Sequence, residues 1–130
     1  VVFANVQGAL APLASVVSLL PPVSTDARYA AALSGLRADL ASGVANPVTS
    51  ALVEDFRFFH VVMVALAIAS AVALGLAARR AARTGHLRST GHTGAAVLLV
   101  VVLLVIGAAN LSTALDPIPG LLGALPSPMP

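Results

Sequence analysis

Two stretches decide the fold: residues 58–78 (FFHVVMVALAIASAVALGLAA) and residues 95–114 (AAVLLVVVLLVIGAANLSTA). A bilayer core about 30 Å thick needs about 20 predominantly apolar residues of helix to cross it. At a rise of about 1.5 Å per residue the first stretch covers about 31 Å, and the second is of similar length. The second holds an unbroken run of Val, Leu and Ile from Val97 to Ile106. At about −0.3 to −0.6 kcal/mol per residue, that run alone favours insertion by roughly 3 to 6 kcal/mol. Alanine dilutes the first stretch, so its drive is weaker but still favourable. Neither is the core of a signal peptide, because both lie far from the N-terminus. As buried helices of a soluble domain they would need covering on all sides, and a chain of 130 residues has too little other material for that.

The composition agrees. Hydrophobic residues make up 58% of the chain and charged ones 9%, with a mean hydropathy of +0.98. Soluble domains carry about 25% charged residues, and a soluble protein with so few would expose large apolar patches and associate. The absence of cysteine excludes a disulfide framework, a thiolate zinc site, an iron–sulfur cluster and a cysteine nucleophile. The basic residues are all arginine, and alanine is abundant, a usage associated with GC-rich bacterial genomes.

The arginines orient the spans. Arg79, Arg80, Arg83 and Arg88 fall in the short connection 79–94, which holds no acid, whereas Arg28, Arg37 and Arg57 are interspersed with Asp26, Asp39, Glu54 and Asp55. Short positive loops stay in the cytoplasm. The expectation is a multi-pass protein of the bacterial inner membrane with loop 79–94 inside and both ends of the chain outside. About 55 residues must then cross the membrane ahead of the first span, which needs a signal peptide or an earlier span. More sequence is therefore expected before Val1, with Val2 and Ala4 at the spacing of a signal-peptidase site. Residues 1–22 are expected to be the end of that signal or earlier span.

The region 23–57 is expected to be helical and outside. Pro21 and Pro22 close the first apolar stretch. Ser24 is a suitable N-cap with Asp26 in the first turn, and the helix should end near Gly43. Tyr29, Leu33, Leu36, Leu40 and Val44 recur at spacings of three and four, one stripe of an amphipathic helix, with Arg37 and Asp39 off the stripe. A lipid-surface anchor would prefer a basic polar face, and this one is near neutral, so docking on a neighbouring protein is expected. Asn46 and Pro47 form a strong helix start. No further proline occurs before Pro117, so one helix should run from Pro47 to about Arg83, where Gly85 can end it. Phe56, Phe58 and Phe59 are expected at the membrane interface. Beyond Pro117, the proline-rich tail 115–130 should lack regular structure and form an extended strap held by Leu121, Leu122, Leu125 and Met129.

Chemistry is sparse. A transmembrane bis-histidine haem needs two imidazoles at one depth, but His60 lies at the outer end of the first span while His86 and His92 belong to the loop. The latter pair has no cysteine or acid nearby and matches no common zinc ligand set. Glu54 and Asp55, adjacent on a helix, point about 100° apart and cannot serve one substrate as a carboxylate pair; they are expected to be solvated, with Arg57 paired to an acid or a lipid phosphate. There is no nucleophile elbow and no phosphate-binding glycine loop. No charge lines either span, which argues against a transport pathway of the chain's own. The arginine loop could hold anionic headgroups, although its role in topology already explains it, and nucleic-acid binding is not expected. No enzyme activity, cofactor, metal or small-molecule substrate is expected.

The remaining signal is packing. Ala65, Ala69, Ala73 and Ala77 recur every fourth residue, flanked by Ala67, Ala71, Gly75 and Ser70, and Gly107 to Asn110 form a small and polar patch in the second span. Small residues let helices approach closely in lipid, where hydrophobicity does not drive association. Asn110 should seek a hydrogen bond across helices, worth about 0.6 to 2 kcal/mol. The expected fold is thus an all-α membrane protein, a two-span helical hairpin with an outward-facing amphipathic helix and a proline-rich C-terminal strap. The expected role is a non-catalytic accessory subunit of a larger integral membrane complex, of transport or envelope-lipid machinery because the outward half is the larger. The alternative is a supernumerary subunit of a respiratory-chain complex.

Overall fold

A computed structural model describes residues 9–17, 19–21, 26–44, 46–83 and 90–126, with side chains in the last stretch from 94 onward. Every regular element among these residues is a helix: α1 (Pro12–Val17), α2 (Ala27–Ser42), α3 (Pro47–Arg83), α4 (Thr90–Leu115) and α5 (Pro117–Ala124). They belong to two compact units. A terminal unit comprises Val1–His60 and Thr113–Pro130, and a central unit comprises Val61–Ser112.

The start of α3 follows from its sequence. Asn46 Oδ1 accepts the amides of Val48 at 3.0 Å and Thr49 at 2.9 Å, and Thr49 Oγ1 accepts the Asn46 amide at 3.1 Å. This reciprocal pairing satisfies amides that the first turn leaves without helical partners. Pro47, which has no amide hydrogen to lose, occupies the first helical position. With no internal proline to break it, α3 then runs for 37 residues. Gly85, expected to end it, lies outside the described residues. Helix α4 has 26 residues, extending the apolar stretch at its N-terminal end.

Both α3 and residues 94–115 of α4 are long and apolar enough to cross a membrane, and only 11% and 6% of their most apolar windows are buried. A soluble domain would bury such helices in its core. Here Ile68, Val72, Leu98, Leu104 and Val105 are exposed, an apolar surface of the kind that marks a membrane or partner contact.

The terminal unit has a core of its own. Ala11, Ala14, Val17, Leu40, Leu52, Phe56, Leu121 and Leu125 are buried together, with Leu33, Leu36, Val53, Phe59 and Leu122 packed around them. Leu33, Leu36 and Leu40 of the expected α2 stripe face this core, while Val44 is exposed. Helix α2 begins one residue after Asp26, whose carboxylate accepts the Arg28 amide at 2.8 Å. Asp26 is therefore the cap rather than a first-turn residue, and Ser24 lies outside the described residues. The helix ends at Gly43, whose φ of 70° is the left-handed conformation that glycine adopts without strain.

Three placements were not expected from the sequence. The tail does not stay irregular: Pro117–Ala124 is a helix packed against α2. Pro117 and Pro119 both fall in its first turn, where backbone amides have no helical partner, so neither ring disrupts a bond. Gly120 is required there, because a Cβ at that position would lie 2.8 Å from Thr113 Cγ2 and 3.3 Å from Phe56 Cε1. Second, the N-terminal apolar segment supplies α1, whose Ala14 and Val17 join the terminal core; residues 1–8 lie outside the described residues. Third, Phe56 is core rather than an interfacial aromatic, although Phe58 is exposed.

Candidate functional site

The site residues read from the sequence are helix faces, and the structure separates them into two sets. In the central unit the least exposed positions of α3 are Ala67 and Ala71, at 6% and 7%. Gly107 of α4 is buried opposite: a Cβ built on it would meet Ala67 Cβ at 3.6 Å. That is an ordinary van der Waals distance, so the site would accept an alanine at 107 and the small residues here meet without a forced close approach. Along α4, the least exposed residues of the central unit are Ala96, Val100, Leu103, Gly107 and Asn110. Their alternating spacing of four and three places them along one face of α4.

The alanine repeat is elsewhere. Ala65, Ala69, Ala73 and Ala77 are all exposed. At about 100° per residue, Ala65 and Ala69 lie about 160° round the helix from Ala67. A four-residue repeat also drifts by about 40° per step, which carries Ala77 towards the flank. Of the small residues singled out in the sequence, Gly107 and the flanking Ala67 therefore lie in the contact within the chain, with Ala71 buried beside them, while the alanine repeat faces away from it. Asn110 is half-buried and its Nδ2 donates to the Ile106 carbonyl of its own helix at 2.8 Å.

Arg79, Arg80 and Arg83 are exposed in the last turns of α3, where cationic side chains complement the carbonyl end of the helix dipole. Arg88 and His86 lie outside the described residues, as does the side chain of His92. Beside these arginines, Gly75, Ala78, Ala96, Val97, Val100 and Val101 line an apolar recess of about 250 Å³. His60 is stacked edge-on against Phe56 and Phe59, with centroid separations of 4.6 and 5.1 Å.

Two polar residues, Asp55, expected to be solvated, and Arg37, placed only off the α2 stripe, have structural work. The Asp55 carboxylate accepts the Ala14 amide at 2.7 Å, so it holds a charge at the positive end of α1 across 41 residues of sequence. Arg37, half-buried, donates from Nη1 to the carbonyls of Leu125 at 2.9 Å and Pro126 at 2.8 Å. These carbonyls follow the end of α5, where helical partners run out. Sequence spacing could not reveal either pairing, although Pro12 at a first helical position was a readable sign that a helix starts there. Glu54 and Arg57 are exposed.

In the terminal unit a recess of about 150 Å³ is bordered by Asp39, Leu40, Gly43, Val44, Thr49 and Ile118. Its two strongest polar groups are already engaged: Asp39 accepts from Asn46 Nδ2 at 3.0 Å and Thr49 caps α3. Among the described residues no group of three or more His, Asp or Glu side chains is placed to hold a metal ion. The chain matches no protein-family model, no curated protein and no solved structure.

Proposed function

We propose that the chain is a non-catalytic accessory subunit of a larger bacterial inner-membrane complex, belonging to transport or envelope-lipid machinery. In this reading α3 and α4 form a two-span hairpin, the arginine end lies in the cytoplasm and the terminal unit lies outside. The observation that carries it is the exposed alanine face at Ala65, Ala69 and Ala73. The chain already satisfies its own helix packing through Ala67, Ala71 and Gly107, so the second small-residue face is left for another helix. Two facts support the topology. The segments before α3 and after α4 are gathered into one unit, as two antiparallel spans require. The sequence also places four arginines and no acid between the spans.

Affinity purification in mild detergent tests the proposal. One stoichiometric large assembly should accompany the chain, and recovery of the chain alone would defeat it. Transport or ATPase activity in that assembly supports the stated class, whereas haem or quinone absorbance would assign the chain to a respiratory complex instead. Replacing Ala69 and Ala73 together by leucine should release the partner while leaving the chain's own fold intact. Ala67→Leu should do the reverse, straining the contact with Gly107 by about 1–3 kcal/mol. For orientation, a cysteine at Thr84 should resist an impermeant thiol reagent applied from outside, and one at Ser34 should react.

A further inference from the structure

We propose that the recess at the inner end of α3 and α4 holds an acyl chain of an anionic phospholipid whose phosphate is bound by Arg79 and Arg83. This rests on the two helices spanning a membrane, not on the accessory-subunit role.

The lining is wholly apolar: Gly75 and Ala78 from α3, and Ala96, Val97, Val100 and Val101 from α4, around a space of about 250 Å³. The space exists because the residues facing it are small. Gly75 is exposed, and a Cβ placed on it would have no neighbour within 4 Å. Val97 and Val101 are exposed as well, so the recess opens to whatever surrounds the helices. In a bilayer that is hydrocarbon.

The arginines stand in register with this opening. Gly75, Arg79 and Arg83 are spaced by four; with a drift of about 40° per step they span about 80° of α3, Arg79 being nearer in direction to the opening than Arg83. Their positions rise by about 6 Å per step along the axis. A chain lying in the recess would therefore bring its headgroup to the guanidinium groups one and two turns further on. Arginine is suited to that role because its planar donors match phosphate oxygens in pairs. The sequence from 56 to 115 holds no Asp or Glu, so the complementary negative charge must come from outside this segment.

Charge also decides between occupants. A second copy of this chain seated in the recess would bring its own arginines to the same membrane face, and these would meet Arg79 and Arg83 as like charges. A zwitterionic lipid carries an ammonium that the arginines repel. An anionic phospholipid satisfies both the apolar recess and the cationic rim.

The test is native mass spectrometry of the full chain, extracted from membranes in mild detergent, with dioleoyl phosphatidylglycerol or dioleoyl phosphatidylcholine added. Retention of the glycerol lipid should exceed that of the choline lipid by about tenfold or more, given two arginine contacts. Gly75→Leu, whose Cβ would have no neighbour within 4 Å, places its remaining carbons in the recess and should abolish the excess. The pair Arg79→Gln and Arg83→Gln should bring both lipids to one level. A photoactivatable group on the acyl chain of phosphatidylglycerol should label residues 97–101, a readout independent of how well any variant folds. Equal retention of the two lipids, or unchanged retention in Gly75→Leu, overturns the proposal, as does a chain dimer that Gly75→Leu disrupts. A chain that carbonate washes from membranes overturns the spanning reading itself, and this site with it. A membrane-embedded chain without lipid preference overturns only the site.

Discussion

Leu121→Ala tests whether the end of the chain is a built part of the terminal unit. Leu121 is fully buried, at 0% exposure, beside Leu40, Phe56 and Leu125. Truncation to alanine removes three carbons. At about 0.8 kcal/mol for each buried carbon, the lost transfer free energy is about 2.4 kcal/mol. The surrounding side chains belong to several helices and cannot all close in, so a cavity term raises the cost towards about 3–5 kcal/mol. At about 1.4 kcal/mol per tenfold, the opening equilibrium of the unit should shift by roughly a hundredfold or more. Backbone hydrogen exchange of the purified chain in mild detergent reads this directly, in the amides of α2 and α5. The matched control is Leu19→Ala, the same chemical change in the same unit at a residue that is 79% exposed, where the effect should stay within about 0.5 kcal/mol. Equal acceleration in the two variants would refute the packed tail and restore the extended strap.

Asp55→Ala should cost about 0.5–2 kcal/mol by removing the carboxylate at the start of α1, seen as faster exchange of the Ala14 amide; Asp55→Asn should fall between, because it keeps an acceptor but not the charge. Arg37→Met preserves much of the aliphatic packing but leaves the Leu125 and Pro126 carbonyls without their donor. It should destabilise the tail by about 1–3 kcal/mol, with proteolysis beginning near residue 126, and protection equal to wild type would show the contact to be incidental.

The elements that the sequence revealed are those set by local chemistry. Asn46 and Pro47 announce a helix start because capping and a missing amide are properties of neighbouring residues. The length of α3 follows from the absence of proline between Pro47 and Pro117. The apolar run of residues 97–106 marks α4. What stayed hidden is long-range. Nothing near Arg37 in the chain tells that it meets carbonyls 88 and 89 residues away, and Asp55 reads as one of two solvated acids until α1 is placed on it. The proline-rich tail misleads because prolines at residues 117 and 119 argue against helix in general but not in a first turn. The alanine repeat drew attention by its regular interval, yet an interval of four drifts around a helix of about 3.6 residues per turn. The least exposed face of α4 alternates fours and threes and mixes Gly107 with Val100 and Leu103, so no single residue type marks it.

The terminal unit is discontinuous in sequence, and this sets an order on biosynthesis. Leu40, Leu52 and Phe56 emerge early, but their core is completed by Leu121 and Leu125. Between His60 and Leu125 the ribosome adds a stretch that takes roughly 3–13 s at about 5–20 residues per second. During that delay the early half has an unfinished apolar surface. The gap closes only when α4 and α5 have been made, and, in the proposed topology, when the far end of α4 has reached the side on which the first residues lie. A chain that fails to deliver Leu121 and Leu125 to this core keeps it open, and the exposed surface marks it for chaperones or proteases. In the proposed two-span topology, the joining of the two ends of the chain would thus report that both crossings had been completed.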